Sequence, residues 1–463
     1  MNKTEYLKQI DRVIERGQYK DNWDSMRDIP IPEWYKNAKF GLFVHWGLYS
    51  IPAFKNEWYA RNMHIKDSLE YNHHCETYGS DFAYKDFVPL FKAEKFSADE
   101  WLELFEKSGA KYLMPVAEHH DGFQMYKSAL SEFNVFNMGA KRDILGELKQ
   151  ASKKRGIRFC ASSHRIENWW FLDGEAHFDQ HCLYPPSPPS AEFMEDWLVR
   201  TAELIDNYQP EILYFDWWIQ ITAMKPYVKK ISAYYYNRGL EWGKPAAINY
   251  KHDAFAFGCA VLDVERGQFA SVKPNFWQTC ASMATNSWCY TSTNIYKSSR
   301  SIICDLIDIV SKNGSLLLNV GPKASGEISD EEQKILLEIG DWLDVNGESI
   351  YNTRPFRIFG EGVTEIKEGH NTDGTEKPFT SQDIRFTQNG NCIYAAVLKY
   401  PEEGIVRIKS LAERAPDFHG IIENISVLGF GETPDIIRTS DYLELKTKSI
   451  KSEFPVVFKI TIL

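Results

Sequence analysis

The sequence predicts an α/β protein: a (β/α)8, TIM-like barrel followed by a C-terminal antiparallel β-sandwich. Three observations carry that prediction. Eight apolar runs of strand length recur between residues 39 and 320, most of them separated by segments of helical periodicity. Several runs end on a polar or charged residue, as barrel strands do where they open into a site. From roughly residue 351 the pattern changes to a period of two, punctuated by turn residues. A chain of 463 residues is long enough for one barrel-sized unit and a smaller one, so the expected division is 1–350 for the barrel and 351–463 for the sandwich.

Residues 1–34 are polar and are expected to wrap the outside as a helix and a turn around Ile29-Pro-Ile-Pro32. The first strand is Lys39-Phe-Gly-Leu-Phe-Val-His-Trp46, ending on His45 and Trp46. In the helix that follows, Ser97 and Glu100 form a capping box ahead of Trp101, Leu102, Leu104 and Phe105, and Gly109 closes it. The second strand, residues 111–117, delivers Glu118, His119, His120 and Asp121. A helix from Asp143 to Arg155, stopped by Gly156, leads into the third strand at 157–162. After a helix over 192–208 comes Glu211-Ile-Leu-Tyr-Phe-Asp-Trp-Trp218, a doubly buried strand that brings Asp216 into a wall of aromatics. Further strands are read at 246–249, 260–265, 275–278 and 315–320. A last helix starts at Ser329, with Glu332 completing a second box, and runs to Val345. Asn389-Gly390 between two alternating runs is a hairpin signal, and strands are expected at 404–410, 424–428, 442–447 and 456–463. The Pro-dense patch Pro185-Pro-Ser-Pro-Pro189 is read as a stiff lid over the cleft.

With 14 Trp, 24 Tyr and 28 Phe the chain is aromatic-rich. Aromatic faces in a cleft suit carbohydrate rings, whose axial C–H bonds pack on a π-surface, although most of these side chains must be core. The formal net charge of -11 argues against nucleic acid, whose phosphates demand a basic surface. No apolar run reaches the ~18 residues of a membrane span. The start, Met1-Asn-Lys-Thr-Glu-Tyr6, lacks the basic-then-apolar layout of a secretory signal. A cytoplasmic protein is therefore expected for the chain as it stands, periplasmic or secreted if an upstream signal was removed. The eight cysteines are scattered without a CxxC pair, which favours free thiols in a reducing compartment over a disulfide framework or a zinc site. The absence of GxGxxG and Walker loops weakens any nucleotide-binding reading.

The polar groups supplied by the predicted strand ends are His45, His119, His120, Ser162 to His164, Asp216, Asn249, Lys251, Glu265 and Gln278. Asp216 is the first functional candidate, with a helix or turn cap as its structural alternative. Two carboxylates, several imidazoles and abundant Trp at one rim are the equipment of a glycosidase. One carboxylate attacks or activates water, and the other, kept protonated by its surroundings, donates to the leaving oxygen. The histidines and Lys251 would bond sugar hydroxyls, with Phe43, Trp58, Trp217 and Trp288 in apolar contact. A metal-dependent hydrolase is the rival, with His45, His119, His120 and Asp216 as ligands. Against it, adjacent histidines on a strand would face opposite sides, and neither HxH nor HExxH occurs. For any one of these histidines alone, a satisfied core residue is an equally common reading.

Trp34-Tyr-Lys-Asn-Ala-Lys-Phe-Gly-Leu-Phe-Val-His-Trp-Gly47, Glu57-Trp-Tyr59, Glu118-His-His-Asp-Gly-Phe123, Lys141-Arg-Asp143, Ser311-Lys-Asn-Gly-Ser-Leu-Leu-Leu-Asn-Val-Gly-Pro322 and Asn346-Gly-Glu-Ser-Ile-Tyr351, in that order and spacing, resemble the α-L-fucosidases of glycoside hydrolase family 29. The resemblance implies a retaining hydrolase with an N-terminal barrel and a C-terminal β-sandwich, needing neither metal nor other cofactor and acting on fucosylated oligosaccharides or glycoconjugates. By the same resemblance Asp216 is the nucleophile, and His45, Glu57, Trp58, His119 and His120 hold the fucose hydroxyls. Phe43 and Trp288 align with aromatics beside the C6 methyl.

Glu265, in Asp263-Val-Glu-Arg266, falls where some members carry the acid/base. Others carry it after a Trp further along, where this chain has Trp277-Gln278, which cannot donate as an acid. Glu265 is taken as the acid/base, with a salt bridge to Arg266 as its structural alternative and Glu167 as a spare carboxylate. Lys251 lies near an arginine of relatives, which implies contact with the nucleophile or the sugar. The strand ends Tyr214-Phe-Asp-Trp-Trp218 and Ser162-Ser-His-Arg-Ile-Glu-Asn-Trp-Trp170 depart from the family pattern, so His164, Arg165 and Glu167 would add polar contacts. The expected activity is that of an exo-acting retaining α-L-fucosidase. An α-L-galactosidase-like hydrolase of the same family, and a catalytically weak fucose-binding protein in which Gln278 marks lost acid catalysis, are the alternatives.

Overall fold

A computed structural model describes residues 1–171, 187–374 and 378–463. Its parallel strands are β1 (Phe40–Val44), β2 (Tyr112–Glu118), β3 (Arg158–Phe159) and β4 (Ala161–Ser163), β5 (Ile212–Phe215), β6 (Ala247–Tyr250), β7 (Val261–Leu262), β8 (Trp277–Ser282) and β9 (Gly314–Val320). β3 and β4 are one barrel strand interrupted at Cys160, both pairing with β2. The order is β7-β6-β5-β4-β2-β1-β9-β8. Its two ends meet at a parallel bridge between Asp263 and Gln278, reinforced by Val264 N–H to Gln278 O and Arg266 N–H to Cys280 O, each 2.8 Å. The sheet thereby closes on itself, which removes the bare edges that an open sheet presents.

Inward-facing side chains, among them Phe43, Tyr112, Met114, Tyr214, Cys280 and Leu317, fill the ring. The short helix Glu33–Ala38 pushes Tyr35 into this interior, where its hydroxyl donates to Gln278 Oε1 at 2.6 Å and accepts from Asn249 Nδ2 at 2.9 Å. Tyr112 donates to the same Gln278 oxygen at 3.0 Å, and Gln278 Nε2 donates to Asp263 at 2.7 Å. Gln278 and Asn249, expected at strand ends, are therefore bonded inside the barrel and do not reach its mouth. Register is the reason: β8 starts at Trp277, so Gln278 is its second residue and three further residues separate it from the end at Ser282.

Helices cover the ring where caps start them. Ser97 accepts the Glu100 N–H and Ser329 the Glu332 N–H, each at 3.3 Å, opening helices Ala98–Lys107 and Asp330–Asn346. Glu332 also accepts from the Ser329 hydroxyl at 3.3 Å and holds Gly321 N–H at 2.9 Å. The complete reciprocal box is at Asn2 and Glu5, opening helix Lys3–Arg16. Helix Ile144–Arg155 ends at Gly156 with φ 69°, and Lys153, Lys154 and Arg155 lie where the helix dipole favours cations. From β6 to β8 the described residues hold no helix, and parts of that connection line the cleft.

The antiparallel part comprises β10 (Arg354–Glu361), β11 (Ile384–Asn389), β12 (Cys392–Val397), β13 (Ile405–Ile408), β14 (Ile422–Val427), β15 (Asp435–Arg438), β16 (Leu443–Lys446) and β17 (Val456–Ile462). Sheets β10-β11-β12-β17-β14 and β13-β16-β15 enclose a core that includes Phe386, Ile393, Ile408, Leu445 and Phe458. β11 and β12 form the expected hairpin, with Asn389 paired to Cys392 and Gly390 at φ 57°. β10 and β15 escape a reading of periodicity. The first carries Pro355 and an irregular register before Gly360, and the second is four residues long and mostly exposed, so neither shows clean alternation.

Of the lid expected at 185–189, residues 185 and 186 lie outside the described residues and 187–189 run up to the cap of helix Ala191–Tyr208. Among the described residues no helix is long and apolar enough to cross a membrane, and seven cysteines are unpaired.

Candidate active site

The C-terminal mouth of the ring opens into a cavity of about 580 Å³, lined by Phe43, His45, Glu57, Trp58, His119, His120, His164, Asp216, Trp217, Lys251, Glu265 and Trp288 of the residues singled out from the sequence, while Ser162, Arg165, Glu167, Asn249 and Gln278 are not in its lining. Asp216 directly follows β5. Two residues on, Trp218 takes φ 71°, a conformation that bulky L-residues avoid, and this sharp turn leaves Trp217 at the cavity while Trp218 is fully buried.

Asp216 Oδ1 accepts from Lys251 Nζ at 2.5 Å, and Oδ2 accepts from His164 Nδ1 at 3.0 Å and lies 3.3 Å from His120 Nε2. The same Lys251 ammonium donates to Glu265 Oε2 at 2.7 Å. Two carboxylate oxygens that share one ammonium at these distances are at most about 5 Å apart, the separation at which one carboxylate attacks the sugar directly. Glu265 is thus paired with Lys251. Arg266, its partner in the structural alternative, turns to Asp373 at 3.3 Å and to the carbonyls of Ala284, Thr285 and Ser287.

Behind this pair His45 Nδ1 meets Asn319 Oδ1 at 2.6 Å, which makes Nδ1 the protonated nitrogen and leaves Nε2 as an acceptor. Asn319 in turn donates to Trp288 O at 2.5 Å, and Glu57 accepts the Trp288 N–H at 3.0 Å. Phe43 lies 4.6 Å from the His45 ring and 6.3 Å from that of Trp288, giving an apolar corner in a cavity whose wall mixes polar groups with the rings of Trp58 and Trp217. His119 and His120 both line the cavity, with ring centroids 4.4 Å apart, contrary to the expectation that neighbours on a strand diverge. β2 ends at Glu118, so both histidines lie on a turn beyond it, where the alternation of a strand no longer applies.

Burial sets the charges. It pushes His45, His119 and His164 below the ordinary imidazole range, the neighbouring imidazoles adding to the effect for His45 and His119 and Asp216 opposing it for His164. His120 goes the other way: burial would lower it, but the carboxylates of Glu167 and Asp216 raise it. Burial also favours the neutral Asp216, yet Lys251, then His164 and His120, outweigh it and hold that carboxyl well below its usual value. Burial lifts Glu167 to about 8, against the pull of His120. Glu167 is fully buried 3.3 Å from His120 Nε2 and outside the cavity lining, so it acts on His120 and is no spare acid for a substrate. Arg165 is likewise turned away, to Glu118 and Asp196 at 2.7 Å each.

The ligand atoms of His45, His119 and His164 lie within 4.8 Å of one another, as do those of His120, His164 and Asp216. Neutral imidazoles at that spacing are donors a transition metal would accept. In the second group, however, Asp216 already faces the fixed cation of Lys251. Sequence reasoning missed Asn56, Asn62, Tyr214, His252, Arg266 and Asn371 in the lining. Tyr214 stood two residues before Asp216 with a strand's period to announce it. Asn371 comes from a stretch with no periodicity at all.

A closed parallel barrel with a carboxylate pair, an apolar corner and a ring of imidazoles at its C-terminal mouth defines a glycoside hydrolase. The model of the α-L-fucosidase family matches residues 7–348. The tissue α-L-fucosidase of Mus musculus is 31% identical over 415 residues, covering 85% of this chain and 83% of that protein. That of Rattus norvegicus is 30% identical over 411 residues, covering 85% and 81%. Among solved structures, the Thermotoga maritima α-fucosidase in complex with a mechanism-based inhibitor superposes with a TM-score of 0.76 at 28% identity, covering 96% of this chain and 100% of that one. The chain belongs to the α-L-fucosidase family.

Proposed function

We propose that the protein is an exo-acting, retaining α-L-fucosidase that releases terminal α-L-fucose from glycans or glycosides by double displacement. The observation that carries this reading is the pair of carboxylates on one ammonium, Asp216 at 2.5 Å and Glu265 at 2.7 Å. That geometry suits direct attack and leaves no room for the water that inverting enzymes place between carboxylates about 6.5–9.5 Å apart. Asp216, anionic through Lys251, attacks the anomeric carbon as Glu265 passes its proton to the departing oxygen. The C–O bond to the leaving group breaks and an ester bond to Asp216 forms. Glu265, now a carboxylate, takes a proton from water. The resulting hydroxide attacks the same carbon and frees both fucose and Asp216.

Neutral imidazoles, each able to donate and accept, suit sugar hydroxyls. The apolar corner of Phe43 and Trp288 suits the C6 methyl and disfavours the extra hydroxyl of α-L-galactose, which would be buried without a partner there. A structure of the Thermotoga maritima α-fucosidase holds fucose, which supports the same sugar here. The binding-protein alternative loses its ground, because Gln278 is in the barrel interior and not at an acid position.

Hydrolysis of 4-nitrophenyl α-L-fucoside followed by proton NMR tests the proposal. α-L-Fucose as the first-formed anomer is expected. First formation of the β-anomer would remove the double displacement, and equal kcat/KM on the matching α-L-galactoside would replace the sugar.

A further inference from the structure

Residues 368–373 lie beyond the stretch matched by the family model and return to the cleft from between β10 and β11. They pair with the segment that carries Glu265. Gly369 N–H bonds Gln268 O at 3.1 Å, while Thr372 N–H and Asp373 N–H bond Arg266 O at 2.8 and 2.9 Å. The approach is so close that a Cβ on Gly267 would lie 1.9 Å from Gly369 O, so glycine is required at 267. Three ion pairs pin the ends: Asp373 with Lys297 at 2.8 Å and Arg266 at 3.3 Å, and Glu368 with Lys273 at 3.0 Å.

Glu265 is the residue most tightly gripped. Its N–H donates to His370 Nδ1 at 3.1 Å, and its carbonyl accepts the Asn371 N–H at 2.8 Å. Because Nδ1 is an acceptor, the His370 ring must be unprotonated there. Burial, then His252 and Lys251, lower His370 to about 4, so it remains an acceptor near neutrality. The ring packs on His252, with centroids 4.5 Å apart and planes inclined by 32°. His252 and Asn371 themselves line the cavity, at φ 55° and 54°, which is strained backbone for both.

We propose that residues 368–373 form, with His252, the leaving-group subsite of this enzyme, with His370 positioning Glu265 and with Asn371 and His252 meeting the hydroxyls of the released sugar. The inference rests on the reading of Glu265 as the acid/base. The acid must face the glycosidic oxygen, so groups that line the cavity beside Glu265 meet what departs, while the imidazoles around Asp216 meet what stays. An amide and an uncharged imidazole fit a neutral, hydroxyl-rich leaving group. Arg266, which also lines the cavity, is taken up by Asp373 and three carbonyls.

The experiment compares kcat/KM on 2,4-dinitrophenyl α-L-fucoside, whose leaving group departs without a proton, and on a fucosyl disaccharide, whose leaving group needs one. For His370→Ala the expected loss is roughly tenfold or more on the disaccharide and less than about threefold on the aryl fucoside, within the range that general acid catalysis supplies. His370→Asn, whose side-chain oxygen can accept the Glu265 N–H, is expected to restore much of the loss. Asn371→Ala, which keeps His370, is expected to raise KM for the disaccharide alone. Equal losses on both substrates, or no loss on either, would overturn the subsite. A wild type that does not turn over the aryl fucoside would remove the proposed function itself, a different result from an active wild type whose variants show no gap between substrates.

Discussion

Asp216 is both buried and anionic, two conditions that oppose each other unless a cation is bound close by. Lys251 is that cation, and its second contact, to Glu265, fixes the spacing of the two carboxylates. Replacing Lys251 with Met removes the largest influence lowering the Asp216 carboxyl, so its pKa must rise. Activity requires the carboxylate. The acid limb of the kcat/KM profile is therefore expected to move to higher pH in Lys251→Met, and an unmoved limb would show that the charge is held by His120 and His164 alone. The two carboxylates can also be told apart by what azide does. In Asp216→Gly, kcat is expected to fall by about 10³-fold or more, roughly 4 kcal/mol of barrier. Azide should then displace the leaving group directly and give the inverted β-L-fucosyl azide. In Glu265→Ala the glycosyl–Asp216 ester still forms from an activated fucoside, so azide should give the retained α-L-fucosyl azide. Identical azide products from both variants would contradict the assignment of roles.

At the level of elements, the sequence exposed what local physics dictates and concealed what only tertiary approach creates. β5 was legible because a doubly buried apolar run ending in an acid has few other readings. Helix Ile144–Arg155 was legible because its cap, its basic last turn and Gly156 are all local signals. β8 slipped in register because Asn275-Phe-Trp-Gln278 reads as a strand as well as the observed Trp277–Ser282, which includes Thr279 and Ser282. Nothing local marks His370 and Asn371, which reach Glu265 across more than a hundred residues. Gly340, in mid-helix, likewise looks like a weak point, since glycine is a poor helix former. The structure gives its reason: a Cβ there would lie 1.9 Å from Lys107 O, at the contact of helices Asp330–Asn346 and Ala98–Lys107. Gly340→Ala is accordingly expected to destabilise the fold by about 1–3 kcal/mol despite its better helix propensity, as overpacking does. Urea unfolding measures this, and a stabilised variant would mean that the two helices can separate freely.

On the scale of the whole molecule, barrel and sandwich are joined by specific polar contacts as well as apolar ones, and residues 368–373 start from the sandwich side of that seam, between β10 and β11. Trp342 Nε1 donates to Pro455 O at 2.9 Å and Thr387 Oγ1 to Ser349 O at 2.7 Å. At its centre Asp308, on the barrel helix Ser299–Ser311, accepts from Lys312 Nζ and from Arg385 Nε on β11, with all three side chains buried. Two buried cations bond the same carboxylate. Asp308→Ala would remove the hydrogen-bonded partner of both, at an expected cost of about 3–5 kcal/mol. Replacing the whole cluster, as Asp308→Leu with Lys312→Met and Arg385→Met, is expected to recover most of that loss, because apolar groups of similar size need no partner. The expected order of urea midpoints is therefore wild type, close to the triple variant, well above Asp308→Ala. The surviving native Asp308→Ala protein should lose turnover of a fucosyl disaccharide before that of an activated aryl fucoside, since a loosened seam releases residues 368–373 from Glu265 before it disturbs Asp216. If Asp308→Ala unfolds at the wild-type midpoint, or loses both activities in parallel, the seam neither stabilises the molecule nor sets the geometry of the cleft.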